Sequence, residues 1–154
     1  MNTPLPERWT SIVLGLFRIV TALLFVCHGA SSLFGILNPY QQPAFLAWPG
    51  WWAALIQFAG GILVGLGGLT RPAALLCSGS MAYAYFTVHQ EHALWPIQNG
   101  GEAPVMFCWA FLVIAAVGPG AAALDALLLR RSATTAAESA APAGSGREPA
   151  ALSD

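Results

Sequence analysis

Lysine is absent from this 154-residue chain, and all six of its basic residues are arginine. Charge of either sign is scarce, at 8% of residues against roughly 25% in an average soluble domain. A formal net charge of -1 leaves no basic field to grip a phosphate backbone, which excludes nucleic acid as a partner. Between Trp9 and Leu129 the only charged residues are Arg18, Arg71, Glu91, Glu102 and Asp125. A soluble core that apolar would lack the polar surface to cover it. Cysteine is sparse too: Cys27, Cys77 and Cys108 form no C-x-x-C pair and sit in apolar stretches, so they read as small buried residues. H-E-x-x-H, G-x-S-x-G and a phosphate-cradling glycine loop are also missing. Arg18 interrupts the first apolar run and no A-x-A site follows it, so residues 9–35 are read as a retained helix, not a cleaved signal peptide.

What the chain does have is four long apolar runs: Trp9 to Leu33, Trp51 to Leu69, Ala73 to Val88 and Ala103 to Val117. A helix needs about 20 residues to cross the hydrocarbon core, and the shorter runs can extend into their flanks or thin the bilayer. The runs lack the alternation of barrel strands. They predict an all-α membrane protein, a bundle of four transmembrane helices in a multi-pass arrangement. Arg8, Arg71 and the Arg130–Arg131 pair all fall on one side, whereas residues 36–50 and 89–101 hold no arginine, so both termini are expected in the cytoplasm. Trp48, Trp51, Trp52 and Trp95 then gather at the outer interface, where amphipathic rings settle. The expected organisation is a cytoplasmic segment at 1–8, a membrane domain at 9–131 and a disordered tail at 132–154, rich in Ala, Ser, Thr, Gly and Pro. Gly118-Pro119-Gly120 should end the fourth span, leaving AAALDALLLRR to lie along the inner interface. Gly61 and Gly65, four apart, should let helices approach closely within the chain.

An ionisable side chain inside a span needs a partner or a purpose. Arg18 lies about 13 Å past Trp9 along the first helix and should point into the bundle, either as a structural ion pair or carbonyl clamp, or as a site for an anion or a cofactor headgroup. His28 lies about 15 Å further out, and Gln57 enters the second span from the same face. With His89, Asn99 and Glu102 they form a polar set in the outer third of the bundle. His89 near a helix C-terminus, Glu102 near a helix N-terminus and Asn99 in a turn also have ordinary structural explanations. His28 and Gln57 inside apolar spans do not, and a polar pocket is expected there. The spacing is not diagnostic of a metal, and no metal is assigned.

In order along the chain, Arg18, His28-Gly29, Gln57 before Gly60-Gly61, Thr70-Arg71-Pro72-Ala73-Ala74, Phe86-Thr87-Val88-His89, Asn99-Gly100-Gly101-Glu102, Gly118-Pro119-Gly120 and Leu124-Asp125 resemble the motif series of the DoxX family of small bacterial four-helix membrane proteins. Two positions depart from it: Gln57 replaces the family's Glu, and no Lys follows His28-Gly29 among residues 30–33. The resemblance implies an inner-membrane component of an oxidoreductase system, quinone-linked or tied to sulfur and redox stress, working with a redox-enzyme partner. On that reading His89 and Glu102 hydrogen-bond or protonate a quinone oxygen, Arg18 stabilises developing negative charge, and His28, Gln57 and Asn99 line the cofactor site. The alternatives are a non-catalytic membrane scaffold and a haem-binding bundle with His28 and His89 as axial ligands.

Overall fold

The computed structural model describes residues 6–37 and 42–126, and among them the chain is helical with no strand. Helix α1 (Glu7–Phe34) is 28 residues long, about 42 Å at 1.5 Å per residue. It opens after Pro6, with the Glu7 carboxylate at its positive end, and stops at Gly35 (φ 65°), whose N–H bonds the Ser31 carbonyl at 2.9 Å. Helix α2 (Gly50–Leu66) contains one π-helical turn at Ile56–Gly60 and stops at Gly67 (φ 73°). Helix α3 (Thr70–Ala84) runs on as a π-helical turn at Tyr85–His89. Helix α5 (Glu102–Val117) completes the bundle. Each apolar run of the sequence thus became a helix. The short α4 (Pro96–Asn99) is an addition, started by a proline at its first position and ended by Gly100 (φ 67°).

The helices close on one another: α5 packs on α3, α3 on α2, α2 on α1, and α1 meets α5. The inward side of α1 carries Gly15, Arg18, Ala22, Phe25 and Gly29, a spacing of three and four that keeps one stripe facing the bundle. Two close approaches need glycine. A Cβ on Gly29 would collide with the Phe58 backbone, and one on Gly61 would sit 2.7 Å from Val26 Cγ2 and 3.2 Å from the Ala22 carbonyl. Gly61 and Gly65 of α2 therefore serve packing onto α1 within the chain, as their spacing predicts. The core is small and aromatic by turns: Ala22, Ala74 and Cys77 pack around Phe25 and Phe111, whose ring centroids are 4.6 Å apart.

The distribution of polarity runs opposite to that of a water-soluble protein. Arg18, Thr21, Ser31, Thr70 and Ser78 are buried, while Leu16, Val20, Leu23, Leu75, Leu76 and Trp109 are exposed, several by more than half. Apolar exterior of this extent is stable only against hydrocarbon. Among the described helices α1 alone has the length and apolarity to cross a membrane by itself; α2 and α5 are shorter apolar helices.

One expectation is corrected. Residues 118–125, expected along an interface, turn back into the bundle, and 127–131 of the same expected segment lie outside the described residues. Gly118 (φ 107°) and Gly120 (φ 65°) make the reversal. The Ala121 N–H then bonds the Ser11 carbonyl at 2.9 Å, the Asp125 N–H bonds the Gly67 carbonyl at 2.8 Å, and Ala123 is buried. Gly120 fits because its α-carbon lies against the backbone of residues 11–15, where any Cβ would clash. The expected tail at 132–154 lies outside the described residues.

Candidate functional site

A cavity of about 300 Å³ lies at the end of the bundle where α3 finishes and α5 begins, lined by Phe25, His28, Gln57, Met81, His89 and Phe107 together with small residues of α3, the α4–α5 turn and the start of α5. Phe107 and Met81, with the buried Phe25 behind them, make its apolar wall, and His28, Gln57 and His89 are its polar groups. Gln57 belongs to the π-helical turn of α2, and His89 closes that of α3. A π turn adds one residue to the helical repeat and so re-aims the side chains that follow, which is why such turns recur at functional sites. Here two separate π turns deliver a polar side chain to one cavity.

His89 is held by its surroundings. Its Nδ1 lies 3.1 Å from the Asn99 carbonyl, and since a carbonyl oxygen only accepts, Nδ1 carries the proton in that bond. The Asn99 side chain is engaged elsewhere: its amide donates to the Ala93 carbonyl at 2.8 Å and its Oδ1 accepts the Gly101 N–H at 2.7 Å. Asn99 therefore shapes the turn and presents its backbone, not its side chain, to His89. Tyr85 steadies the same loop by donating to the Leu94 carbonyl at 3.1 Å. His28 is exposed at the cavity edge and stands edge-on to Phe107, with centroids 5.6 Å apart. Neither His28 nor Gln57 has a hydrogen-bonding side-chain partner among the described residues. Glu102 is exposed at the first turn of α5 and is not among the lining residues. Among the described residues no three of His, Cys, Asp and Glu converge as a metal site.

Arg18 belongs to the other end, about 15 Å along α1 from His28. It is fully buried; Nη2 donates to the carbonyls of Ala122 at 2.9 Å and Ala121 at 3.4 Å, while Nε and Nη1 have no partner. Gly67 lies against Nη1, where no side chain would fit. Beside it Asp125 accepts the Leu69 N–H at 2.9 Å, the Thr70 N–H at 2.9 Å and the Thr70 hydroxyl at 2.8 Å. The Thr70 backbone N–H, foremost among these bonds, holds the Asp125 carboxyl below the ordinary carboxylate range, with the Arg18 charge a lesser contribution. The structure thus brings His28, Gln57 and His89 together and separates Arg18 from them. Missed in the sequence were the walls Phe25 and Phe107, although Phe25 stands one turn before His28 on the same face. Asp125 as the cap of α3 was missed as well; its only signal was the absence of a local cap before Thr70.

A helical bundle with a lipid-suited exterior and buried polar groups defines an integral membrane protein. The family model DoxX matches residues 13–90, and the chain belongs to the DoxX family. It is 36% identical to an uncharacterized protein of Haemophilus influenzae over 129 residues, covering 77% of this chain and 92% of that one. It is 29% identical to the inner membrane protein YqjF of Escherichia coli over 123 residues, covering 74% and 90% of the two chains. It is also 29% identical to the inner membrane protein YphA of the same organism over 127 residues, covering 74% and 89%. No solved structure matches the chain. The protein is an inner-membrane protein embedded in the lipid bilayer.

Proposed function

We propose that the protein is the membrane component of a quinone-linked oxidoreductase system and holds a quinone headgroup in the outer cavity. The observation that carries this reading is the joining of His28, Gln57 and His89 around one space of about 300 Å³. A para-quinone is a flat ring with an oxygen at each end, and Phe107, backed by the buried Phe25, offers it an apolar wall while the polar groups reach its oxygens. When bound, the quinone supplies two-electron, two-proton chemistry. His28 and Gln57 each offer a donor and an acceptor to one oxygen. His89 handles a proton at Nε2, and Glu102, one residue outside the cavity lining, exchanges protons with the outer water. The neutral Gln57 fits this setting, since an unpaired carboxylate at that depth is expensive. A redox-enzyme partner would supply the electrons, and no role in the cavity falls to Arg18.

The same proposal includes four spans, α1, α2, α3 and α5, with both termini in the cytoplasm. Support comes from the arginines at one end, the tryptophans at the other and the exposed leucines and valines on the bundle's flanks. Helices shorter than the hydrocarbon core are accommodated by local thinning.

The test is an absorption spectrum of the detergent-purified protein before and after dithionite, with solvent extraction of bound quinone. Quinone that co-purifies with the native chain and is lost from His89→Phe supports the proposal. A reduced haem spectrum would replace it with haem ligation by His28 and His89. Absence of both would leave a scaffold, the reading that the structural bonds of Arg18 and Asp125 favour for the inner end.

A further inference from the structure

We infer that the outer cavity discriminates between the two redox states of its ligand, taking the hydroquinone in preference to the quinone through Nε2 of His89. The inference rests on the quinone reading of the cavity and adds to it the ligand's redox state.

His89 is the one polar side chain of the cavity whose hydrogen-bonding sense is fixed by the protein. The amide of Gln57 presents an acceptor and two donors, and the unpartnered imidazole of His28 is free to adopt either tautomer. Both therefore suit a hydroxyl and a carbonyl equally. His89 has no such choice, because Nδ1 must donate to the Asn99 carbonyl 3.1 Å away. In the neutral ring a protonated Nδ1 leaves Nε2 with a lone pair and no hydrogen. Nε2 has no partner among the described residues, and the ring lines the cavity.

The turn that fixes His89 is itself fixed. Asn99 ties its side chain to Ala93 and Gly101, and Gly100 takes the left-handed backbone (φ 67°) that sets the Asn99 carbonyl toward α3. The acceptor at the cavity is thus held by a loop, not by a rotatable side chain. A hydroquinone hydroxyl donates to Nε2, whereas a quinone carbonyl sets one lone pair against another. A bound ligand oxygen set against Nε2 gives up its own hydration without gaining a hydrogen bond in return. A lost hydrogen bond of this kind corresponds to a roughly ten- to hundredfold difference in affinity.

The experiment titrates the full chain in detergent, stripped of co-purifying quinone, under anaerobic and mildly alkaline conditions. The probes are a short-tailed para-benzoquinone, its hydroquinone and the dimethyl ether of that hydroquinone. The expected result is roughly ten- to hundredfold tighter binding of the hydroquinone than of the other two, with the preference lost in His89→Phe. The dimethyl ether keeps the ring and removes the O–H, so the wild-type protein alone decides the point if the variant fails to fold. Equal binding of all three would overturn the inference and leave the quinone site standing. Binding of none would overturn the quinone site together with it.

Discussion

Replacing Asp125 with alanine removes the acceptor of three hydrogen bonds at once: the N–H groups of Leu69 and Thr70 and the Thr70 hydroxyl. The first two are the opening donors of α3, and loss of a helix cap costs about 0.5–2 kcal/mol. Thr70 is 1% exposed, so its hydroxyl is left buried without a partner, at about 1–3 kcal/mol. Part of that is recovered if the hydroxyl turns to a carbonyl one turn back. The sum is about 2–4 kcal/mol, which for a chain of this size lowers the melting temperature by roughly 5–15 °C. Helical circular dichroism of the detergent-solubilised variants during heating measures it. Thr70→Val should cost less alone, and adding it to Asp125→Ala should cost almost nothing more, because the two side chains share one interaction. The pH response has a definite sign. The folded carboxyl titrates below its unfolded value, so its contribution is fully present above about pH 4 and is lost as pH falls through the lower folded value. Asp125→Asn should lack that acid-side loss. A melting temperature unchanged in Asp125→Ala, or strict additivity with Thr70→Val, would refute the capping role.

Two further outcomes follow from the packing and the charge distribution. Reporters fused after Arg131 should read cytoplasmic and a reporter inserted within residues 36–50 should read external; the reverse pattern would overturn the orientation. Gly29→Leu should disrupt the α1–α2 contact, since even a Cβ collides with the Phe58 backbone. The change should cut the yield of folded protein severalfold in fluorescence-detected size-exclusion chromatography, while Gly79→Leu, at an open position, should not.

Much of the fold was legible because apolar length and glycine spacing act locally. Gly61 could be assigned to close packing from Gly65 alone, and Arg18 to the bundle interior from its depth. The outer polar set was legible in part. His28, Gln57 and His89 share a cavity because all three lie near the same end of helices that alternate in direction along the chain. The π turns were not legible, since one extra residue per turn leaves an apolar run looking like any other. Nor was the bond between His89 and the Asn99 carbonyl, which depends on the left-handed Gly100 and not on side-chain chemistry. Asp125 read as an inner-interface residue because nothing local reveals that residues 118–125 turn back. That reversal is decided by the backbone of Ser11 and Gly67, more than 50 residues away in sequence.

The returning segment also sets an order on assembly. Arg18 is synthesised in the first helix, but the two carbonyls that receive its guanidinium belong to Ala121 and Ala122, which emerge after all the helices of the bundle have been made. Until those carbonyls exist Arg18 lacks both of these acceptors, and an arginine without partners is costly in lipid. Docking of Ala121 onto Ser11 and of Asp125 onto Gly67 joins the first-made part of the domain to the last. The latch ties the two ends of the domain together: the buried guanidinium of the amino-terminal helix gains its two carbonyl acceptors only when the carboxy-terminal end of the bundle has arrived.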